Sequence, residues 1–504
     1  MSRLVLGLDC GLTVTKAVLF DESGHPRATA SARVPQDSPH ARWLERDVDA
    51  LWAASAQAIR SVIEKAGADP KDVAGIGTTA HGDGLYLLDA QGRPTRAGIL
   101  SLDTRSGPII DRWQAEGRFE RMLEVTGQVP ASLGPAALLT WVKENEPEVF
   151  ERSAWALPCK DVMKFYLTGE VATDTTEAST AFTDVNTQRY APEALAVYDL
   201  EDAADMLPPV VGCTEVMGTV TAEAAELTGL APGTPVVSGL HDVDACAVGI
   251  GCLEPGQLTL IAGTASINEV ISDQPIVDER WFCRNFVREG RWMNMSLSVA
   301  SAVNLEWFVQ QLCRTDYTMA KDRGEDPFGF VEPEVAAVAD EPGGVLFLPF
   351  LYGSPHGPAA SGTFLGMRGW HNRGHLLRAV LEGVVFNHRT HVDALRDAFA
   401  ISEGRLTGGA VRSRRWAQMF ADALDLTVLI TDSEESGALG TAMCAMVGTG
   451  IHNSLEEAVA ASVRVTERLE PDPVSHEQLD AKYAHYHRVI EALDGAWETS
   501  TAPS

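Results

Sequence analysis

The chain has 504 residues, 45% hydrophobic and 22% charged, with 70 acidic against 40 basic side chains and a formal net charge of −30. That length suits roughly two to four domains, and that composition is the profile of an ordinary globular protein with an ample core. The acidity argues against a nucleic-acid partner and against an anionic membrane surface, both of which call for clustered Lys and Arg. The first eight residues are apolar but for Ser2 and Arg3, Asp9 interrupts the run and no small-residue cleavage site follows, so no signal peptide is expected. Uncharged stretches fall short of the ~18–20 residues that span a bilayer. The eight Cys lie far apart with no Cys-x-x-Cys pair, which predicts reduced core thiols and a cytoplasmic protein.

In chain order, residues 4–8 and 16–20 read as an antiparallel pair around the turn Gly11-Leu12-Thr13-Val14-Thr15. Asp21-Glu22-Ser23-Gly24 is a turn leading to a further strand. Residues 49–66 form an amphipathic helix, with Leu51, Ala54, Ala58, Val62 and Ala66 at helical spacing and Gly67 as its stop. Residues 73–78 and 85–88 are strands, and 222–228 is a short helix stopped by Gly229. An apolar strand, Thr234-Pro235-Val236-Val237, ends at Ser238-Gly239-Leu240-His241-Asp242. Near residue 246 the plan starts afresh. Strand 258–262 turns through Gly263-Thr264-Ala265-Ser266 into strand 267–271, as at the N-terminus. Helix 375–399, the entry into Gly408-Gly409, helix 415–424, strand 427–430 and a Gly/Ala-rich helix 437–447 follow. Alternating strands and helices predict an α/β protein. The internal repetition predicts two related halves with a cleft between them, divided as residues 1–245 and 246–504, with Asp242 at the join.

Three strands thus end in carboxylates or in small, hydroxyl-rich turns. The first turn offers Asp9, Thr13, Thr15 and Lys16, and Gly11 exposes backbone N–H groups as an anion cradle. Asp9 suits a hard cation such as magnesium. Gly263-Thr264 supplies a second cradle, as a triphosphate needs contacts along its length. Gly408-Gly409 with Ser413 forms a third glycine site, able to lie flat against a planar base. Asp242 sits at a strand end, where ligands of α/β sheets bind, and a lone carboxylate there can take a proton from an alcohol. Asp244 reads as a helix N-terminal acid. Ala80-His81-Gly82-Asp83-Gly84 and Leu102-Asp103-Thr104-Arg105 follow apolar strands and bring His, carboxylate and guanidinium groups suited to sugar hydroxyls, or salt-bridged surface loops. His81 has no partner His at i+4, which argues against a metal there.

Gly362-Thr363-Phe364-Leu365-Gly366-Met367, followed after a gap by His375-Leu376-Leu377-Arg378-Ala379-Val380-Leu381-Glu382, resembles the second signature of the FGGY carbohydrate kinases. Lys160-Asp161-Val162-Met163-Lys164-Phe165-Tyr166-Leu167-Thr168-Gly169 is similar to the first. Asn304-Leu305-Glu306-Trp307-Phe308 and Phe347-Leu348-Pro349-Phe350-Leu351-Tyr352-Gly353 also resemble family segments, and the similarity runs closest to the L-xylulose kinase-like and xylulokinase branch. The resemblance implies two ribonuclease-H-like domains of the actin and hexokinase ATPase type around a central cleft. It further implies ATP and Mg2+, a small-molecule sugar substrate and a homodimer among the assemblies the chain can form. By this resemblance Asp242 is the catalytic base and Asp9 lies near the metal. Gly11, Thr13, Thr15, Lys16, Gly263 and Thr264 meet the phosphates, and Gly408, Gly409 and Ser413 the adenosine. His81, Gly82, Asp83, Asp103 and Arg105 meet the sugar. Leu12 departs from the small or hydroxyl residue usual after the first glycine, and Ala80 from the Met usual before the His. The expected reaction is phosphorylation of a terminal hydroxyl of a ketopentose such as xylulose. A polyol such as erythritol or a pentitol is the alternative substrate. A nucleotide-switched actin-like interaction protein or a sugar sensor is the alternative of another class.

Overall fold

The computed structural model describes residues 3–341, 343–357 and 359–500, with side chains through Trp497. The ends of the two expected domain ranges, residues 1–2 and 501–504, lie outside the described residues. By internal contacts the chain divides into two units. One holds Met1–Pro255, Ile271–Asn294 and Ser433–Arg464; the other holds Gly256–Val270, Met295–Asp432 and Val465–Ser504.

The first unit begins with β1 (Leu4–Cys10), β2 (Val14–Asp21) and β3 (Pro26–Arg33), an antiparallel run. Helix α1 (Val48–Ala66) is opened by the Asp47 carboxylate, which accepts the Ala50 N–H, and closed by Gly67 at φ +60°, the left-handed stop that glycine adopts freely. Then come β4 (Val73–Ala80), helix α2 (Cys159–Thr168), β5 (Val216–Thr219), β6 (Pro235–Val237) and helix α3 (Asp242–Gly249). The sheet order is β5-β6-β4-β1-β2-β3, with β1, β4 and β6 mutually parallel. Buried on both faces, β1 and β4 are almost wholly apolar or small, as enclosed parallel strands are.

A second sheet follows the same plan. It is built from β7 (Gln257–Ala262), β8 (Ser266–Ser272), β9 (Phe282–Asn285), β10 (Trp292–Ser298), β11 (Glu403–Gly408), β12 (Val428–Thr431) and β13 (Val465–Leu469), in the order β9-β10-β8-β7-β11-β12-β13. Here too a first strand pairs antiparallel with its successor and parallel with the strand after a long crossover: β7 with β8 and then with β11. Helices α4 (Arg373–Arg396), α5 (Arg414–Leu424), α6 (Ser436–Gly448) and α7 (Pro473–Ser500) complete the set used below. The repetition read in the sequence is therefore a repetition of sheet topology. Element ends differ from the expected ones by a few residues, as fraying termini do.

Helix α6 packs within the first unit with its backbone close to three other elements. A Cβ at Gly7 of β1 would lie 2.1 Å from the Ala438 carbonyl oxygen, and one at Gly77 of β4 would lie 2.0 Å from that of Thr441. One at Gly440 would lie 1.9 Å from the Ala245 carbonyl of α3. The Thr441 hydroxyl donates to the Thr78 carbonyl at 2.9 Å. The Gly/Ala composition of α6 is thus a packing requirement. All eight cysteines are free thiols, seven of them buried, and among the described residues no helix is long and apolar enough to cross a membrane.

Gly440→Ala is expected to destabilise the protein by about 3 kcal/mol or more, the top of the overpacking range, because the obstructing atom is backbone. Gly495→Ala, where a Cβ meets nothing within 4 Å on helix α7, is expected to be neutral or stabilising by up to about 1 kcal/mol. Urea denaturation of the two variants against the parent checks both.

Candidate functional site

In the first unit the carboxyl ends of β1, β4 and β6 bring together Asp9, the loop His81-Gly82-Asp83-Gly84 and Asp242. Their register places Cys10 beside Ala80, and the His81 N–H donates to the Cys10 carbonyl at 3.0 Å. After β6, Gly239 takes φ +78° at a point where a Cβ would lie 2.0 Å from the Thr78 carbonyl oxygen. That turn delivers Asp242 as the first residue of α3, with His241 as its N-cap. The turn is anchored from α2: Lys164 Nζ donates to Ser238 Oγ at 2.9 Å, and Lys160 Nζ to the Ser238 carbonyl at 3.3 Å. Both lysines are buried and pair with Asp161 at 2.7 Å.

Asp242 Oδ2 accepts the Gly82 N–H at 2.9 Å, and Oδ1 accepts the Val243 N–H at 2.8 Å. Its side chain keeps 37% of its surface open. Even so, desolvation by its surroundings, joined by repulsion from Asp83, outweighs the two N–H groups and Arg284 and pushes its pKa up to about 6. Gly82 cannot carry a side chain in this arrangement, since a Cβ would lie 2.3 Å from His241 Nε2 and 2.8 Å from Asp242 Oδ1. Asp9 is pushed up to about 7 by burial and by Asp242, with Lys16 acting in opposition and Glu435 reinforcing the rise. Lys16 itself pairs with Glu435 at 2.8 Å. Among the described residues no group of three or more His, Cys, Asp or Glu is arranged to hold a metal ion.

In the turn after β1, the buried Arg46 donates to the carbonyls of Gly11 and Leu12. Thr13 is exposed, whereas Thr15 is fully buried beside Cys10 and takes no part in the open surface of the turn. The His81 ring is neutral, its pKa pushed down to about 3 by burial and by Arg46, and its Nε2 lies 3.0 Å from the Tyr86 hydroxyl. Asp83, at φ +56°, is paired with Arg284 at 3.0 Å. Asp103 and Arg105 pair with each other. Arg105 Nη2 pairs with Asp103 at 2.8 Å and Nη1 with Glu45 at 2.8 Å, and the guanidinium lies 4.2 Å from the Trp43 ring centroid. Both are buried.

In the second unit, parallel pairing sets Ala262 beside Gly408, so Gly263-Thr264 and Gly408-Gly409 leave the sheet as neighbours. The carbonyls of Gly263 and Thr264 accept the N–H groups of Ala302 and Ser301, each at 2.8 Å. Gly408 has φ +91°, and a Cβ on it would lie 2.6 Å from the Ala262 carbonyl oxygen. Ser413 caps α5, its Oγ accepting the Trp416 N–H at 3.2 Å. The structure thus gathers Asp9, His81, Gly82, Asp83 and Asp242 in one unit and the two glycine turns in the other. It adds residues that sequence reasoning missed: Arg284, Gln128, Glu435 and the side chain of His241. Arg284 lies in Phe282-Cys283-Arg284-Asn285, where a charge in a half-apolar strand was the one available signal.

Family models for the N-terminal and C-terminal domains of the FGGY family of carbohydrate kinases match residues 4–249 and 258–449. Over 504 residues the chain is 34% identical to the L-xylulose/3-keto-L-gulonate kinase of Escherichia coli (strain K12), with 98% of each chain covered. It is 35% identical over 494 residues to a probable L-xylulose kinase of Pasteurella multocida (strain Pm70), covering 97% of this chain and 98% of that one. Among solved structures, the xylulose kinase from Rhodospirillum rubrum superposes with a TM-score of 0.86 at 31% identity, covering 98% of this chain and 100% of that one. Matched along nearly its whole length, the chain belongs to the FGGY family of carbohydrate kinases and is a sugar kinase.

Proposed function

We propose that this kinase transfers the γ-phosphoryl group of ATP to a terminal hydroxyl of a neutral ketopentose of the xylulose type, with Asp242 as general base. The observation that carries the reading is the Asp242 carboxylate. It is fixed by two backbone N–H groups, partly open, and held at a pKa of about 6. An ionised carboxylate with that basicity is matched to accepting a hydroxyl proton near neutral pH. The hydroxyl oxygen forms its bond to the γ-phosphorus as the bond to the bridging oxygen of ADP breaks. The proton passes to Asp242. Beyond that, catalysis of phosphoryl transfer is positioning and charge stabilisation. In this reading the first unit holds the sugar, beside Gly82 and the neutral His81 ring. The second unit holds the nucleotide at Gly263, Thr264, Gly408 and Gly409. The relatives named for L-xylulose and xylulose favour a ketopentose. The buried Arg105 and Arg284 are both committed to carboxylates of the protein, which favours a substrate without a charge of its own.

Asp9 is the residue that would hold magnesium. It fits, because Asp242 and Glu435 set further negative charge near its carboxyl, which a divalent cation relieves. Mg2+ also needs only one or two protein carboxylates when phosphates and waters complete its shell. When bound, the ion neutralises charge on the phosphoryl oxygens. A cytoplasmic protein with no nucleic-acid partner remains the reading of the composition.

Asp242→Asn is expected to lower kcat by roughly 10²–10⁴-fold while ATP affinity, measured by calorimetry, stays as in the parent; retention of most turnover sinks the assignment. A protonated carboxyl cannot accept the hydroxyl proton, so kcat/KM is expected to hold above pH 6 and to fall about tenfold per unit below it. A profile flat to pH 5 contradicts that. A coupled ADP-release screen over L-xylulose, D-xylulose, pentitols, erythritol and a ketogulonate is expected to give the highest kcat/KM with a ketopentose. A polyol or the sugar acid in first place overturns the substrate and leaves the base standing.

A further inference from the structure

One side chain ties together the sugar loop and the residue preceding the proposed base. Arg284 of β9 donates from Nε to Gln128 Oε1 at 2.9 Å, from Nη2 to Asp83 Oδ1 at 3.0 Å, and from Nη1 to His241 Nε2 at 3.2 Å. Arg284 and His241 are both buried. A guanidinium has only N–H donors and no acceptor. His241 Nε2 must therefore present its lone pair to Arg284.

The ring is neutral at ordinary pH, since burial, with Arg284 and Lys160 as neighbouring cations, pushes His241 well below the usual range. A neutral imidazole carries one proton, and with Nε2 accepting, that proton sits on Nδ1. Nδ1 lies 3.3 Å from Asp242 Oδ1 and 3.7 Å from Asp244 Oδ2. The contact is longer and less aligned than a good hydrogen bond, and among the described residues no other partner takes up the buried Nδ1.

From this geometry we infer that Arg284 is a positioning residue that locks His241 in the Nδ1–H tautomer, so that the ring turns a donor toward Asp242. The inference rests on the reading of Asp242 as the base. Asp83 and Gln128 hold the guanidinium at its other two corners, so the chain of contacts runs Asp83–Arg284–His241–Asp242. Without Arg284 the ring is free to place its proton on Nε2. It would then turn a lone pair toward a carboxylate, a repulsion felt most when Asp242 is ionised and ready to accept a proton. A wrong-tautomer histidine beside a catalytic group lowers turnover while binding survives.

The test reads the tautomer directly. Protein labelled with 15N-histidine carries 13 histidines, and the His241 pair of ring signals is assigned by its loss in His241→Gln. Long-range 1H–15N correlation spectra distinguish Nδ1–H from Nε2–H. The parent is expected to show Nδ1–H at His241. In Arg284→Met the Nε2–H form is expected to appear, with kcat down roughly tenfold or more, the lower end of what loss of an orienting partner costs, and KM for the sugar changed far less. Arg284→Lys, which still offers an N–H donor, is expected to keep Nδ1–H and recover much of kcat. An Nε2–H ring in the parent overturns the inference without any variant, and so does an unchanged tautomer or unchanged kcat in Arg284→Met. The spectra do not depend on turnover, so failure of the Asp242 assignment, seen in Asp242→Asn, is told apart from failure of this one.

Discussion

The first unit depends on one steric constraint: the backbone of α6 must touch the backbones of β1, β4 and α3. Glycine at 7, 77 and 440 removes the Cβ atoms that would hold those surfaces apart. The benefit is positional. Asp9 ends β1, Gly82 follows β4 and Asp242 opens α3, so a helix that grips all three elements fixes the offsets among the three groups. The Gly82 N–H bond to Asp242 at 2.9 Å is the finest of those offsets, and it is set by strand and helix placement and not by flexible side chains.

Electrostatics then works on this rigid frame. Asp9, Asp83, Asp242 and Asp244 are all pushed above the usual carboxylate range, chiefly by burial. Their placement differs enough to separate their chemistry. Asp83 is bound to Arg284, Asp244 is sealed from solvent, and Asp9 adjoins the Lys16–Glu435 pair. Asp242 alone combines partial openness with a pKa of about 6 and two N–H groups directed at it. The same environment thus raises four acids and leaves them in four different settings.

Much of this was legible in the sequence wherever the signal was local. The Gly-Leu-His-Asp turn, the helix ended by Gly67 and the Gly/Ala run of α6 each state their conformation within a dozen residues, and the repeated strand–turn–strand opening announced two sheets of one plan. Partners supplied from far along the chain were not legible. Glu435 meets Lys16 across 419 residues, and Arg284 meets Asp83 across 201; no periodicity or spacing encodes such a meeting. Burial adds a further layer that local chemistry does not state. Leu102-Asp103-Thr104-Arg105 has the groups to bind a sugar, yet Glu45 and the indoles of Trp43 and Trp141 enclose its arginine. Thr15 reads as a phosphate hydroxyl, yet the alternation of β2 turns it inward beside Cys10.

The late position of α6 in the chain has a consequence for biosynthesis. Residues 436–448 complete a layer whose other walls were made within the first 250 residues. While the ribosome is still translating the intervening segments, β1 and β4 present a glycine-floored trough with nothing to fill it. The portion that carries them therefore waits, incompletely closed, for a helix translated only after those segments. Contacts of such long sequence separation fold slowly.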